Sequence, residues 1–458
     1  MPTFDSIIIG AGQAGPTLAS SLTQSGRRVA FVERKLFGGT CINTGCTPTK
    51  AMVASAYVAQ KARTAAAYGV TVPGAVSVDM KAIKARKDQI VFNSRNGLET
   101  WLRGMKNCTV FTGHASFESP NQVRVGDDLL TAKEIFLNVG GRAVVPDFAG
   151  VNNVPWMDNV SILELETLPK HLVVVGGSYI GLEFGQIFRR FGSEVTIIEK
   201  SSRLVSREDE DVSASIKSFL EKEGITVRLN AECIHLEPQG NDIAVGVNCP
   251  DDGTDSIGSH VLLAVGRRPN TDDLGLEKAG IAHNKHGYIT VDDQLRTNVP
   301  GIWALGDCNG RGAFTHTAYN DFEIAAANLL DNDPRRVTDR FPCYALYTDP
   351  PLGRVGLTEA EVRKSGKPAL IGTRPMTKVG RAVEKGETEG FIKILVDATS
   401  KQILGASILG TGGDEAIHCL LDTMYAHAPY TTMQRAVHIH PTVSELLPTI
   451  LGDLKPLT

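Results

Sequence analysis

Asp5-Ser6-Ile7-Ile8-Ile9-Gly10-Ala11-Gly12-Gln13-Ala14-Gly15, closed some way on by Arg28-Val29-Ala30-Phe31-Val32-Glu33, is the stretch that decides the fold. Residues 7–9 are an apolar run stopped by Gly10, which reads as a parallel strand buried on both faces. A helical pattern through Leu18 and Leu22 to Gly26 follows, and residues 28–33 read as a second strand. Gly10, Gly12 and Gly15 therefore sit at the Gly-x-Gly-x-x-Gly spacing inside a βαβ unit. At that spacing the first glycine makes a tight turn, the second admits a pyrophosphate, and the third lets helix and strand pack closely. The helix N-terminus offers N–H groups and the positive end of its dipole to phosphates. Glu33, 23 residues past Gly10, ends the second strand, where a carboxylate accepts from a ribose hydroxyl. The alternative is a glycine-rich turn that binds nothing, and the full set of strand, helix, strand and acid weighs against it.

A second unit repeats the plan. Leu172-Val173-Val174-Val175 runs into Gly176-Gly177-Ser178-Tyr179-Ile180-Gly181, a helical pattern reaches Phe191, and residues 194–199 read as a strand. Glu199 again stands 23 residues past the first glycine. Ser178 replaces the middle glycine and costs some backbone approach, so a degenerate turn is the competing reading. An acid at this strand end favours the free 2′-hydroxyl of NAD and repels a 2′-phosphate. Lys200 and Arg203 soften that repulsion, and the balance favours NADH over NADPH.

The 458 residues are 42% apolar and 21% charged, with a formal net charge of −4. Length alone suggests about three domains. The charge implies no basic face for nucleic acid. No apolar run reaches the ~18 residues of a membrane span, and the N-terminus lacks the basic region of a signal peptide. Eight cysteines are too few for a disulfide scaffold in a chain of this length. The expectation is a cytoplasmic enzyme that binds neither nucleic acid nor membrane.

The most specific segment is Gly39-Thr40-Cys41-Ile42-Asn43-Thr44-Gly45-Cys46-Thr47-Pro48-Thr49-Lys50. On an ideal helix, residues five apart are separated by ~7.5 Å along the axis, and a disulfide needs Cα atoms within roughly 7 Å. The two cysteines can pair only across an irregular first turn, which Gly45 permits. A helix N-terminus there would stabilise a thiolate, and Lys50 falls one turn past Cys46 on the same face. Two ordinary buried thiols or half of a metal site are the alternatives. No second Cys/His pair at ligand spacing stands nearby, and no metal is expected.

These segments resemble the class I pyridine nucleotide-disulfide oxidoreductases, which include dihydrolipoamide dehydrogenase, glutathione reductase, mercuric reductase and hypothiocyanous acid reductase. The cysteine segment is similar to that family's redox-active disulfide motif. Residues 176–183 resemble its nicotinamide-binding motif, and Leu263-Ala264-Val265-Gly266-Arg267-Arg268-Pro269-Asn270 its crossover segment. Ile302-Trp303-Ala304-Leu305-Gly306-Asp307 resembles the motif whose Asp binds the FAD ribityl chain. Tyr347-Thr348-Asp349-Pro350 and Val355-Gly356-Leu357-Thr358 open a region like its dimerisation domain. His438-Ile439-His440-Pro441-Thr442-Val443-Ser444-Glu445 resembles its C-terminal active-site motif.

The resemblance implies roles. Cys41 would be the interchange thiol that meets substrate, and Cys46 the thiolate in charge transfer with FAD. Lys50 would pair with Glu183 beside the flavin. Tyr179 would gate the nicotinamide pocket. His440, oriented by Glu445, would be the acid/base and would reach the disulfide of the other subunit. Asp307 with the backbone of Ala313, Phe314 and Thr315 would hold FAD, and Gly39, Thr40, Ala115, Gly140, Ile180 and Gly266 join the cofactor-binding set.

The implied fold is α/β, with two Rossmann-like dinucleotide-binding domains and a C-terminal α+β dimerisation domain. Residues 1–145 and 266–335 would form the FAD domain, 146–265 the NAD(P)H domain, and 336–458 the interface of a homodimer. Electrons would pass from NAD(P)H through FAD to the Cys41–Cys46 disulfide, and on to a small disulfide, a thiol oxidant or a metal ion. Mercuric ion reductase and dihydrolipoamide dehydrogenase are the alternatives. Against the first, no cysteine follows Cys419. Against the second, Thr47 and Thr49 are not its usual residues. Glu199 disfavours glutathione reductase, and Val139 stands where the family often has Thr. A flavoprotein that binds or passes electrons without disulfide chemistry is the reading from another class.

Simpler readings compete at several positions. Thr442-x-x-Glu445 is also a capping box. Glu183 could be a solvated helix carboxylate, and His438 a core or supporting histidine. Cys108, Cys233, Cys249, Cys308, Cys343 and Cys419 read as small buried hydrophobes.

Overall fold

The doubly buried strand expected at the N-terminus forms as β1 (Ser6–Ile9), with all four residues buried. A computed structural model describes residues 2–232, 234–247 and 255–457 of the chain. After β1 comes α1 (Ala14–Gln24), whose Leu18 and Leu22 are fully buried against the strands. β1 is the middle of a five-strand parallel sheet. On one side it pairs with β2 (Val29–Glu33), which pairs with β3 (Cys108–Thr112). On the other it pairs with β4 (Glu134–Leu137), which pairs with the strand Ile302–Ala304. The chain thus leaves this sheet, builds a second one, and returns to add the last strand.

The second sheet is also parallel, built on β5 (His171–Val175) and β6 (Glu194–Ile198), with Thr226–Arg228 and His260–Leu263 at its edges. The helix between β5 and β6, here called αN (Tyr179–Phe191), is buried along most of its length. It packs on the long helix Cys46–Thr64, with Met52 and Ala56 in the same apolar cluster as Leu182 and Phe184. Helix-on-helix packing here brings the cysteine segment against the second nucleotide unit.

The C-terminal region contributes an antiparallel six-strand sheet, with Val355, Ile392, Ile394 and Ile408 in its core. Two cations on it are almost fully buried: Arg354 is 1% exposed and Lys393 2%. Arg354 Nη2 lies 2.6 Å from Glu208 and 3.1 Å from Asp209, and Lys393 Nζ lies 3.0 Å from Asp209. Burial alone would raise the Asp209 carboxyl. The Glu359 backbone N–H and these two cations hold it down to about 2 instead. The segment after β6 is thereby pinned to the C-terminal sheet.

Among the described residues no helix is long and apolar enough to cross a membrane. Cys308 is fully buried as expected. Cys108, Cys343 and Cys419 are only partly buried, which corrects the expectation. Cys108 and Cys343 begin edge strands, where one side of the sheet is open, and Cys419 lies at a helix flank beside Ser444. Cys233 and Cys249 lie outside the described residues.

Candidate active site

Both glycine turns are pressed against a neighbouring strand end. Gly10 has φ +104° and Gly176 φ +118°, and a Cβ on either would strike a carbonyl oxygen, that of Asn138 or Ala264. Each turn is tied to its acid. The Ala11 N–H donates to Glu33 at 2.8 Å, and the Gly177 N–H to Glu199 at 2.6 Å. Neither α1 nor αN has a side chain capping its N-terminus, which leaves first-turn N–H groups for a phosphate. Ser178 has ordinary extended backbone, so a serine stands at the middle position without strain.

The cysteine segment is two helices with a break. α2 (Gly39–Thr44) carries Cys41, and α3 (Cys46–Thr64) starts at Cys46. Gly45 between them is non-helical, and a Cβ there would lie 2.8 Å from the Thr40 carbonyl oxygen. The irregular turn that pairing requires is therefore present. Cys46 Sγ is 3.2 Å from Thr315 Oγ1. One turn on, Lys50 Nζ is 2.7 Å from Glu183 Oε2 and 4.5 Å from the centre of the Tyr347 ring. The other Glu183 oxygen accepts the Tyr347 N–H at 3.0 Å. Glu183 is buried and doubly bound, so the solvated-carboxylate reading is overturned. Cys46 is exposed, which sets aside the reading of two buried thiols.

The environment separates the two thiols. A hydrogen bond from Cys41, helped by Thr315 and Lys50 and opposed by burial and Glu183, brings Cys46 down to about 6. The same contact, with burial, pushes Cys41 well above the usual thiol range. Of the two, Cys46 is the more acidic thiol.

A cleft of ≈ 1960 Å³ runs from Ser178, Glu199 and Lys200 past Tyr179 to Asp307, Ala313 and Phe314. Gly266 and Ile180 also line it. Burial pushes the Asp307 carboxyl up, and Arg267 Nε, at 3.9 Å, offsets this only in part. An under-partnered carboxylate facing a long cleft fits the hydroxyls of a ribityl chain. Arg267 also reaches the Gly141 carbonyl at 2.6 Å and Thr40 Oγ1 at 3.3 Å, joining this wall to the cysteine segment. The residues present thus fit FAD on one side of the cleft and a nicotinamide dinucleotide on the other.

Some expected residues fall elsewhere. The Ala115 side chain is buried in a small antiparallel sheet, leaving only its backbone for a ligand. Gly140 has φ +63° and open space around it. Arg203 does not line the cleft. Its guanidinium bonds the Ser206 carbonyl at 3.1 Å, and Arg207 stands on the cleft beside Lys200 in its place. Thr315, expected to act by backbone alone, brings its hydroxyl to Cys46. Nothing in the local sequence marks the side chains of Tyr344 and Tyr347, because their partners, Glu208 and Lys50, are far off in sequence.

His440 Nδ1 is 2.8 Å from Glu445 Oε2, and the His440 side chain is 78% exposed. The capping box forms by half. Thr442 Oγ1 accepts the Glu445 N–H at 3.2 Å, while the Glu445 carboxylate goes to His440. His438 is half-buried, neither in the core nor bonded to Glu445, and lies 3.3 Å from the Ala436 carbonyl.

Two parallel nucleotide units, an antiparallel third unit and a broken helix carrying paired thiols define a pyridine nucleotide-disulfide oxidoreductase. The chain belongs to that family: residues 4–321 match the pyridine nucleotide-disulphide oxidoreductase pattern, and residues 343–450 match its dimerisation domain. It is an FAD- and NAD(P)H-dependent enzyme of disulfide oxidoreduction. The chain is 35% identical to the probable pyridine nucleotide-disulfide oxidoreductase RclA of Escherichia coli, over 99% of this chain and 100% of that one. It is 32% identical to the dihydrolipoyl dehydrogenase of Chlamydia muridarum, over 97% and 95%. The solved Cu(II) complex of the HOCl-induced flavoprotein disulfide reductase RclA from Escherichia coli superposes with a TM-score of 0.90, at 34% identity, covering 99% of this chain and 100% of that one.

Proposed function

We propose that the enzyme reduces a small disulfide or thiol oxidant through Cys41 and Cys46, with NADH as the favoured donor. The observation that carries this reading is the broken helix at Gly45, which sets a low-pKa Cys46 against Thr315 and beside the Lys50–Glu183 pair. When bound, NAD(P)H and FAD supply a two-electron reductant that turns the cystine into the dithiol. Lys50, held by Glu183, keeps positive charge near Cys46 and favours its thiolate. Residues 1–145 and 266–335 serve FAD, 146–265 serve NAD(P)H, and 336–458 form the interface.

In the substrate step Cys41 gives up its proton and its sulfur attacks one sulfur of the substrate disulfide. A mixed disulfide forms and one substrate thiolate leaves, taking a proton. The Cys46 thiolate then attacks the Cys41 sulfur, the protein disulfide re-forms, and the second substrate thiolate leaves and takes its proton from water. The partner subunit's His440, with its Glu445, is the acid/base that moves these protons. The working unit is a homodimer, and the enzyme is cytoplasmic. Similarity over the full length to an HOCl-induced disulfide reductase supports a thiol oxidant as substrate.

A screen under NADH tests the reading, with lipoamide, glutathione disulfide, hypothiocyanous acid and mercuric ion as acceptors. Turnover of a disulfide or thiol oxidant, lost in Cys41→Ser, is expected. Turnover of mercuric ion alone, or turnover that survives Cys41→Ser, would overturn it.

A further inference from the structure

We propose that Asp321 is the positioning residue that aims Asp307 at the flavin, with Arg340 holding Asp321 in place. The inference rests on the reading that Asp307 holds the ribityl chain of FAD. Asp307 stands on the short turn Gly306–Asn309, between the strand Ile302–Ala304 and the helix Thr315–Ala326. The Leu305 N–H still bonds the first sheet, donating to the Leu137 carbonyl at 2.7 Å. Gly306 then turns away in the left-handed region, with φ +71°, and its N–H donates to Asp321 Oδ2 at 2.8 Å. Asn309 Nδ2 donates to the same oxygen at 2.9 Å. One carboxylate oxygen thus grips the turn on both sides of Asp307. The ion pair that Asp307 itself makes is long, to Arg267 Nε at 3.9 Å, so the backbone of the turn decides where its carboxylate sits.

Asp321 is placed to act on that turn and on nothing in the cleft. It is 2% exposed and does not line the cleft, whereas Asp307 does. Its other oxygen takes Arg340 Nη2 at 2.5 Å, and Arg340 Nη1 reaches the Thr317 carbonyl, one turn back on the same helix, at 3.2 Å. A buried carboxylate is costly unless donors surround it. Here a guanidinium, a backbone N–H and a side-chain amide do so, brought together from the turn and from the start of the third unit. Exchange of either oxygen for an NH₂ leaves one of these donors facing another donor. The grip on the turn therefore needs the carboxylate and its cation together.

The test follows FAD release from the purified holoenzyme, read as the rise of flavin fluorescence on dilution, in a double-mutant cycle. Asp307→Ala is expected to speed release about tenfold or more, as the loss of a hydrogen bond to a charged group does. Asp321→Asn is expected to speed it about tenfold. Added to Asp307→Ala, Asp321→Asn is expected to change the rate by less than about twofold, because a turn without its carboxylate has nothing to aim. Arg340→Gln is expected to behave as Asp321→Asn does in both backgrounds, and it decides the matter if Asp321→Asn yields no holoenzyme. If Asp307→Ala releases FAD as the wild type does, the reading of Asp307 fails and the proposal with it. If Asp307→Ala speeds release while Asp321→Asn and Arg340→Gln do not, the positioning role is overturned and the reading of Asp307 stands. If the single effects multiply in the double variant, Asp321 serves the fold rather than Asp307, and the proposal is likewise overturned.

Discussion

Glu33 and Glu199 hold their two glycine turns with the same pair of hydrogen bonds. Glu33 accepts from the N–H of Ala11 and of Lys35, each at 2.8 Å. Glu199 accepts from the N–H of Gly177 at 2.6 Å and of Ser201 at 2.8 Å. Each carboxylate fastens the turn ahead of its helix, and lone pairs remain on it for a ribose. Glu199→Gln puts an NH₂ or a weaker acceptor against those N–H groups. The expected result is a fall in kcat/KM for NADH and a narrower gap to NADPH, read as the ratio of the two values. A wild-type enzyme that prefers NADPH tenfold, about 1.4 kcal/mol, would instead make Lys200 or Arg207 the reader of the 2′-position.

The thiol pair should titrate unevenly. In the dithiol protein, thiolate absorbance at 240 nm is expected to appear with a midpoint near pH 6, set by Cys46. Above that pH Cys46 is ionised, and below it the thiolate is lost. Cys46→Ser removes the step. Thr315→Ala removes a hydrogen bond that favours the thiolate, so the midpoint should move upward. A midpoint that stays near 9 in the wild type would show that the pair does not polarise Cys46.

His440 and His438 lie two positions apart and differ in their partners, Glu445 for the first and a backbone carbonyl for the second. His440→Gln is expected to lower turnover by about 10²–10⁴, and His438→Gln by far less. Equal losses would leave the assignment unsupported. Mixed dimers of a Cys41→Ser chain and a His440→Gln chain are expected to regain about half of the wild-type activity per dimer, because one complete site is restored. Mixed dimers that form and stay inactive would place His440 at its own Cys41.

Asp209 joins the second unit to the C-terminal sheet and depends on pH. Its carboxyl lies at about 2, below the ordinary 3.8, so its stabilising effect is complete above about pH 4 and is lost as pH falls toward 2. Asp209→Asn is expected to cost about 2 kcal/mol at pH 7. The difference from wild type in chemical denaturation should shrink between pH 4 and pH 2. A constant difference across that range would mean the cost is packing rather than charge.

The elements legible in the sequence are those whose cause is local. Gly10 and Gly176 announce their turns because only a residue without a Cβ fits there, and residues 7–9 announce a strand because burial on both faces needs an unbroken apolar run. Cys41 and Cys46 announce a break because five-residue spacing cannot pair on a regular helix. The rest depends on contacts between distant parts of the chain. Nothing near Thr315 marks it as the partner of Cys46, and nothing near Tyr344 points to Glu208. The Glu445 carboxylate has two possible partners within five residues, and only three-dimensional placement settles which one it takes.

The return of the chain to lay Ile302–Ala304 beside β4 bears on how the protein is made. As the nascent chain emerges from the ribosome, β4 waits with an open edge while the whole second nucleotide unit is synthesised. An unpaired parallel edge is sticky, and a contiguous unit can close first. Asp307 emerges only after that last strand, so if it holds the flavin as proposed, flavin loading belongs to the final third of synthesis. Ribosome-stalled chains long enough for residue 265 to have cleared the exit tunnel are expected to resist protease across 171–228 while being cut within 2–145, and chains long enough for residue 330 to have cleared it are expected to resist across both. Equal protection of both units in the shorter chains would mean the first sheet needs no closing strand.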